Sequence, residues 1–289
     1  MDWLFFTIIN VISTSLIALM IKVVTNKLKI DAVSLAFSTS LLSSAIYAAV
    51  FIVHYMSASE FSINMYALRY LLISIILNSI GVYIYIKVLE TGELSVVGPL
   101  DSIRPLFAVL FSVVFFSEGI STNVVTGATL ITLGAFLITL KVDVKKLIIT
   151  IEKSKTPLYI TLMAAVYALS SIADKMALKS IKPYDYAFFL MLGECLIYLP
   201  LYLRNKKKTG LKIANFYVAL ISILLIVGTV SISQALQLSS PSLVVPIQMT
   251  RPLLIAIFGF IFFNEKEYLK KMLAAFIMLT GSIILLQSK

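Results

Sequence analysis

Residues 95–118 read SVVGPLDSIRPLFAVLFSVVFFSE, and residues 242–265 read SLVVPIQMTRPLLIAIFGFIFFNE. A shift of 147 residues lays the first stretch over the second. The shift pairs residue types that are uncommon in apolar sequence: Pro99 with Pro246, Arg104 with Arg251, Pro105 with Pro252, Glu118 with Glu265, and Gly134 with Gly281. Chance matches of Leu and Ile are frequent, but these pairs at one offset indicate an internal duplication. The predicted repeats are residues 1–147 and 148–289.

The rest of the chain has the composition of a membrane protein. Of its 289 residues, 60% are hydrophobic and only 13% are charged. A soluble domain has about 45–50% apolar and about 25% charged residues. Because a globular core of this size could not bury the excess apolar surface, that surface is expected to face lipid.

Ten apolar runs of spanning length recur along the chain. A bilayer core about 30 Å thick requires roughly 20 helical residues. The predicted spans are residues 3–22, 33–53, 68–88, 94–116, 123–141, 157–178, 185–203, 214–236, 241–263 and 268–287. The links between them are too short for a soluble domain. The predicted fold is therefore an all-α polytopic membrane protein with ten transmembrane helices.

The number of spans in each repeat predicts how the two repeats are oriented. Equivalent helices are five spans apart, and because five is odd, the two copies cross the bilayer in opposite directions. Many secondary transporters use such inverted repeats, with the binding site near the midplane between them. When two inverted halves exchange conformations, an inward-open cavity becomes outward-open at little net change in energy. The fold prediction is thus two inverted five-helix repeats, and it favours transport by alternating access.

The scarce metal-ligating residues and the positions of the basic residues argue against other classes. Cys195 and His54 supply only two of the four ligands of a structural zinc site, so neither a metal nor a cofactor is expected. The net charge of +10 comes largely from Lys in links, such as Lys145, Lys146 and residues 206–208. That pattern sets membrane orientation and does not indicate nucleic-acid binding. The sequence contains no HExxH, GxSxG or paired Asp motif, so it does not indicate an enzyme.

The duplicated residues resemble those of the drug/metabolite transporter superfamily, specifically its EamA-type ten-helix members. Spans 4 and 9 each carry a Pro and end at a Glu, and a short link and a helix with Gly and Ala follow each. The matching residues are Pro105, Glu118, Gly127, Ala128 and Gly134 in the first repeat, and Pro252, Glu265, Ala274, Ala275 and Gly281 in the second. The resemblance covers the whole chain. It implies a transporter with a central cavity lined by spans 1, 3, 4, 6, 8 and 9, and with spans 5 and 10 as peripheral packing helices.

Arg104 and Arg251 are the leading candidates for substrate binding. Each lies inside a predicted span, where insertion of an Arg costs about 2.5–3.5 kcal/mol, so each requires a wet cavity or a partner. A guanidinium presents a rigid fork that suits carboxylate or phosphate. The alternative is an internal salt bridge, for example of Arg104 with Asp101 or Glu194, that only braces the bundle. Most EamA-type members lack an Arg before this Pro, so the resemblance does not indicate the substrate.

Two further candidates precede the arginines by one helical turn. Asp101 and its repeat mate Gln248 lie three residues before Arg104 and Arg251, on the same helix face. Asp101 could take up a proton and so couple transport to a gradient. It could instead simply neutralise Arg104 inside the bundle.

Glu194 and Tyr83 complete the set of candidate binding residues. Glu194 falls at the centre of span 7, a rare place for an acid. It could be a proton site, a counter-ion for Arg251, or a protonated acid hydrogen-bonded between helices. Tyr83 near the end of span 3 could line a gate or belong to the aromatic belt at the membrane surface.

Four prolines are candidate hinges. Pro99 and Pro105 in span 4, and Pro246 and Pro252 in span 9, each remove a backbone donor and can bend the helix. They could act as hinges during alternation or be ordinary kinks.

Orientation receives two conflicting predictions. The odd-numbered links hold about 17 of the Lys and Arg residues, whereas the even-numbered links and the termini hold about five. The positive-inside rule then places both termini outside, whereas the family resemblance implies cytoplasmic termini. The short links and bare termini favour a prokaryotic plasma membrane.

These features together predict a secondary transporter or exporter of a small organic metabolite, such as an amino acid or another solute with an anionic group. The expected partners are that solute, the lipid bilayer and a coupling ion such as a proton. The alternative is a flippase for a lipid or lipid-linked precursor, because Arg also suits lipid phosphates.

Overall fold

The computed structural model describes residues 2–28, 30–58, 64–90, 101–117, 121–139, 156–204, 215–251, 253–254 and 268–287. In this part of the chain the regular structure consists of ten α-helices and no strands. The helices are α1 (Asp2–Leu28), α2 (Ala32–Ala58), α3 (Met65–Glu90), α4 (Arg104–Phe116), α5 (Thr122–Thr139), α6 (Thr156–Ala177), α7 (Pro183–Arg204), α8 (Phe216–Leu238), α9 (Pro241–Gln248) and α10 (Tyr268–Leu286). Each overlaps one predicted span, so the all-helical class is confirmed. The inverted arrangement of ten spans stays a prediction.

Six of these helices are long and apolar enough to cross a membrane, by length and composition. They are α1, α2, α3, α6, α7 and α8. Within the described residues, α4, α5 and α10 are apolar but shorter. Exposed Leu, Ile and Phe side chains cover several of the helices, for example Phe5, Leu72 and Phe276. Such a surface suits lipid and not water.

Several helix starts follow from a single residue. Asp31 accepts a hydrogen bond from the Ser34 amide through its side chain (2.9 Å) and thereby caps α2. Asn64 caps α3 in the same way, through the Ala67 amide (2.8 Å). These side chains satisfy amides that have no partner in the first turn of a helix. Helix α9 begins instead with Pro241. Proline has no backbone N–H, but an N–H at the first helical position would have no partner within the helix.

The chain divides into two compact units that do not coincide with the predicted repeats. The first unit comprises Met1–Ser79 and Ala173–Leu238, and the second comprises Ile80–Ile172 and Ser239–Lys289. Each unit therefore takes segments from both halves of the sequence. The repeat boundaries at 1–147 and 148–289 concern the sequence alone and stay a prediction, as does the central cavity.

In the first unit, α1 packs against α8, and α2 packs against α7 and α8. Ile17, Leu35 and Ile221 belong to a buried apolar cluster in this unit. A polar contact adds to the packing, because Asn10 on α1 donates a hydrogen bond to the Gly228 carbonyl on α8 (2.9 Å). Close packing and interhelical hydrogen bonds hold helices together in lipid, where the hydrophobic effect between them is absent.

In the second unit, α5 and α10 pack backbone against backbone through glycine. A Cβ added at Gly127 would lie 2.7 Å from the Gly281 carbonyl oxygen, and one added at Gly281 would lie 2.8 Å from the Gly127 oxygen. A Cβ at Gly134 would lie 2.8 Å from the Ala274 oxygen. Only glycine permits these approaches.

The 147-residue shift that relates the two predicted repeats also relates two of these contacts to each other. The shift maps Gly127 onto Ala274 and Gly134 onto Gly281. It therefore converts the contact between Gly127 and Gly281 into the contact between Ala274 and Gly134, and the structure contains both. As the residue number rises along α5 it falls along α10, so these two repeat-related helices are antiparallel.

Candidate functional site

A two-residue turn precedes each of the predicted binding arginines. Residues 102–103 form the turn before Arg104, and residues 249–250 form the turn before Arg251. The 147-residue shift superposes the two turns. The described parts of spans 4 and 9 therefore contain a turn at the same point, and helix α4 begins at Arg104. Interrupted membrane helices commonly place polar groups where a transporter binds its solute.

The hydrogen bond that crosses each Arg-Pro pair is also duplicated. The Leu106 amide donates to the Ile103 carbonyl (3.1 Å), and the Leu253 amide donates to the Thr250 carbonyl (2.9 Å). The two bonds are equivalent under the shift. Each spans three residues, tighter than the four-residue spacing of an α-helix. The proline after each arginine provides the cause, since it has no N–H to donate and the helical ladder opens there.

Asp101 binds both arginines at once. Its Oδ1 atom accepts a hydrogen bond from Nη2 of Arg104 (2.5 Å), and its Oδ2 atom accepts one from Nη2 of Arg251 (2.9 Å). Asp101 and Arg104 are buried, each with 8% of its surface exposed. One carboxylate thus joins two guanidinium groups that belong to different predicted repeats.

Arg104 is held on a second side by an aromatic ring. Its guanidinium carbon lies 4.5 Å from the centre of the Tyr167 ring, a distance at which the ring attracts the cation. The buried Nε atom of Arg104 has no hydrogen-bond partner among the described residues. A buried charged donor without an acceptor is costly, so this atom marks a position where an acceptor would be stabilised.

Arg251 is the more accessible of the two arginines. Its side chain is 27% exposed, against 9% for the side chain of Arg104. The cluster of Asp101, Arg104, Arg251 and Tyr167, which we call the arginine cluster, thus combines a buried cation and a partly exposed one. Such a pair can bind an anionic group that arrives from water.

The other predicted site residues lie as follows. Gln248 is half-buried at the end of α9, and Tyr83 is exposed on α3. Of the candidate hinges, Pro105 is buried in the first turn of α4 and Pro246 lies inside α9. Pro99 and Pro252 lie outside the described residues.

Glu194 belongs to the first unit, in the middle of α7 and half-buried. It interacts electrostatically with Asp174. Asp174 on α6 accepts hydrogen bonds through Oδ1 from the hydroxyls of Ser74 and Tyr186, the latter at 2.6 Å. Asn78, one turn further along α3, donates to the Ser74 hydroxyl (3.2 Å). We call Asp174, Ser74, Tyr186 and Asn78 the aspartate cluster.

The sequence did not single out Ser74, Asn78 or Tyr186. The available signal was weak: Ser74 and Asn78 are a polar pair at i and i+4, on one face of an otherwise apolar span. Ser and Tyr are common in membrane helices, where they often bond to their own backbone or lie at the membrane surface. Their convergence on Asp174 depends on how three helices pack.

The comparisons with known proteins agree with this fold. The EamA-like transporter family matches residues 1–140 and 154–287. A protein of Archaeoglobus fulgidus named an uncharacterized transporter is 27% identical over 208 residues, which cover 72% of this chain and 71% of that protein. A crystal structure is similar with a TM-score of 0.79 at 12% identity, over 98% of this chain and 95% of that one; that likeness shows the fold alone. The chain therefore belongs to the EamA-like transporter family and is a multi-pass membrane transporter.

Proposed function

We propose that this transporter moves a small organic solute with an anionic group across the membrane, and that the arginine cluster binds that group. The carrying observation is that Asp101 joins Arg104 and Arg251, at 2.5 and 2.9 Å. These three groups carry a net charge of +1. A positive charge is costly in the interior of a membrane protein, so an incoming anion would be stabilised.

A purely structural role for the arginine cluster explains the cluster less well. A brace between helices would leave no buried charged donor without an acceptor, because such a donor is costly. The buried Nε atom of Arg104 has no hydrogen-bond partner among the described residues. A bound anion would offset that cost, which supports a binding role.

The proposed transport mechanism is alternating access by two inverted repeats. Three observations support it: the family match falls on both halves of the chain, the packing of α5 on α10 is reciprocal and antiparallel, and the turns before the two arginines are equivalent. Exchange of conformations between the repeats would expose the arginine cluster to one side of the membrane and then to the other. Pro105 and Pro246 lie where such a bend would occur. The archaeal relative and the family support a prokaryotic plasma membrane as the location.

Uptake into vesicles tests this proposal. The purified full-length protein is reconstituted, and the vesicles are incubated with pooled metabolites, with and without a proton gradient. We expect Arg104→Gln and Arg251→Gln each to lower uptake of the transported solute by about tenfold or more, as expected when a buried charged contact is lost. Arg69→Gln, at an exposed position of α3, is the matched control and should leave uptake unchanged.

Two results would contradict the proposal. Undiminished uptake by the Arg104→Gln/Arg251→Gln double variant would remove both residues from the binding site. Movement of fluorescent phospholipids, without uptake of any water-soluble solute, would instead establish the flippase alternative, since guanidinium also binds lipid phosphate.

A further inference from the structure

We infer that Asp174 takes up and releases a proton within the aspartate cluster, and that this proton couples transport to a proton gradient. The inference concerns a different part of the chain from the proposed anion site, because the aspartate cluster belongs to the first compact unit and the arginine cluster to the second. It depends on the chain being a transporter, and not on which solute the arginine cluster binds.

The first argument is the number of protons available to three oxygen atoms in mutual contact. The Tyr186 hydroxyl lies 2.6 Å from Oδ1 of Asp174 and 2.7 Å from the Ser74 hydroxyl. Ser74 is also hydrogen-bonded to Oδ1 of Asp174. The three contacts form a closed ring, and the two hydroxyls supply one proton each. An ionised Asp174 adds none, so one contact in the ring would bring two oxygens together without a proton.

A protonated Asp174 completes this ring. With a proton on Oδ1, each of the three oxygens donates one hydrogen bond and accepts one from its neighbour. The Asn78 side chain then donates to the second lone pair of the Ser74 hydroxyl (3.2 Å). Because Ser74 and Tyr186 are buried, an oxygen pair there without a proton is costly. The geometry of the ring thus favours a bound proton, whatever the second carboxyl oxygen of Asp174 contacts.

The ionised state of Asp174 is also supported, which a coupling group requires. Without the bound proton, both hydroxyls can donate to the carboxylate, and such charge-assisted bonds are strong. The contact between Ser74 and Tyr186 then loses its hydrogen bond. Because Ser74 lies on α3 and Tyr186 on α7, protonation would strengthen the contact between these helices and release would weaken it. A proton that binds one arrangement of helices better than another shifts the population between them.

A second acid near Asp174 also favours a bound proton. Glu194 on α7 interacts electrostatically with both Asp174 and Tyr186. Two interacting carboxyl groups within membrane-spanning helices are not both ionised without a large cost. The basic neighbour on α6 is Lys175, and its amino group donates to the Gln237 carbonyl on α8 (3.0 Å).

The position of Asp174 allows proton exchange with water. It lies in the last turn of α6, and Lys179 in the link that follows is exposed. Of the other charged side chains on the helices of the cluster, Asp185 on α7 interacts with Tyr47 on α2, and Arg69 on α3 is exposed. A proton can therefore reach Asp174 from the end of the helix and does not have to cross the apolar core.

Infrared spectroscopy tests proton binding without any solute. Difference spectra of the purified full-length protein are recorded between an alkaline and a mildly acidic solution, over an interval in which exposed carboxyl groups stay ionised. The carbonyl band of a protonated carboxyl group then reports a buried acid. We expect Asp174→Asn to remove such a band, and Glu194→Gln to retain it. Asp2→Asn, at an exposed position of α1, is the matched control and should also retain the band.

Substitution of the two hydroxyls tests the ring itself. Ser74→Ala and Tyr186→Phe each remove one hydroxyl from the ring and should shift the frequency of the Asp174 band, because that frequency depends on the hydrogen bonds of the carboxyl group. Tyr184→Phe, two residues earlier and exposed, should leave the band unchanged. These variants decide the inference if Asp174→Asn does not fold, since a band that is unchanged in both would contradict the ring.

Transport in vesicles tests the coupling, with the solute that the uptake screen identifies. A gradient of about one pH unit can drive roughly tenfold accumulation when one proton moves with, or against, each solute molecule. We expect Asp174→Asn to lose most of this accumulation but still to exchange labelled for unlabelled solute, because exchange requires no net movement of protons. A purely structural role of Asp174 would reduce both.

The outcomes separate this inference from the proposed function. If Asp174→Asn keeps the band, if Glu194→Gln removes it, or if Asp174→Asn accumulates solute as the wild type does, the inference is wrong and the anion site is unaffected. If no solute is taken up, or if the Arg104→Gln/Arg251→Gln double variant takes it up as well as the wild type, the proposed function fails. The infrared spectra then still decide whether Asp174 binds a proton.

Discussion

Asp101 and Arg251 are 150 residues apart in the sequence, yet Oδ2 of the first lies 2.9 Å from Nη2 of the second. The contact joins span 4 to span 9. Because Asp101 also binds Arg104, its carboxylate is shared by both arginines. Its removal would leave two buried or partly buried cations without this partner.

We therefore expect Asp101→Asn to lower the free energy of unfolding by about 3 kcal/mol, the usual cost of breaking a buried ion pair from one side. Combining it with Arg104→Gln should recover part of that loss, because one stranded cation is then removed as well. Thermal unfolding in detergent of the wild type, the two single variants and the double variant gives the interaction free energy between Asp101 and Arg104. Additive losses would mean that the two side chains do not interact.

The arginine cluster shows what could be predicted from the sequence. Arg104, Arg251 and Asp101 were identified because charges in apolar spans are costly and because the first two recur at one offset. The bridging role of Asp101 could not be predicted, since it depends on how α4 and the segment after α9 pack. Glu194 was also considered as a counter-ion for Arg251. The structure describes an interaction of Glu194 with Asp174.

The same distinction holds for the fold. The ten helices were predicted because apolar length alone indicates a membrane span. A local break in the helical hydrogen bonds near Arg104 and Arg251 was predicted from the proline that follows each. The residues that form the turns, 102–103 and 249–250, were not predicted, because a proline indicates a bend but not its exact position. The convergence of Ser74 and Tyr186 on Asp174 was missed for a related reason: no local pattern specifies which helix faces meet.

The glycine contact between α5 and α10 predicts an effect on stability. We expect Gly281→Ala to destabilise the protein by about 1–3 kcal/mol, because the new methyl group would lie 2.8 Å from the Gly127 carbonyl oxygen, and backbone cannot move aside as a flexible side chain can. Gly127→Ala should cost a similar amount. Leu133→Ala, at an exposed position of α5, is the control and should have a small effect. Unfolding curves that coincide for Gly281→Ala and the wild type would show that the backbones are not in close contact.

Gly81 and its repeat mate Gly228 predict a contrast in binding. A Cβ at Gly81 would lie 2.8 Å from two atoms of the Tyr167 ring, whereas a Cβ at Gly228 would meet nothing nearer than 3.5 Å. Since Tyr167 stacks on Arg104, Gly81→Ala should displace the ring and weaken solute binding.

We expect Gly81→Ala to raise the concentration of solute needed for half-maximal transport by roughly tenfold, as loss of a desolvated cation–ring contact would do. Gly228→Ala should leave that concentration unchanged. If both variants need the same solute concentration for half-maximal transport, the Tyr167 ring does not contribute to solute binding.

The aspartate cluster predicts a loss of stability that does not involve the arginines. The Tyr186 hydroxyl donates to Asp174 at 2.6 Å and lies 2.7 Å from the Ser74 hydroxyl. Tyr186→Phe removes that donor from a carboxylate within the membrane-spanning helices, and we expect the free energy of unfolding to fall by about 1–2 kcal/mol. Tyr184→Phe, two residues earlier and exposed, is the matched control and should change little.

A second substitution distinguishes the loss of this hydrogen bond from a general disturbance of packing. Asp174→Asn replaces the charged acceptor by a neutral amide, which depends less on a donor than a carboxylate does. In that background Tyr186→Phe should cost less than it does in the wild type, as measured by thermal unfolding in detergent. If Tyr186→Phe costs the same in both backgrounds, the effect arises from packing of the ring, and the hydroxyl does not stabilise Asp174.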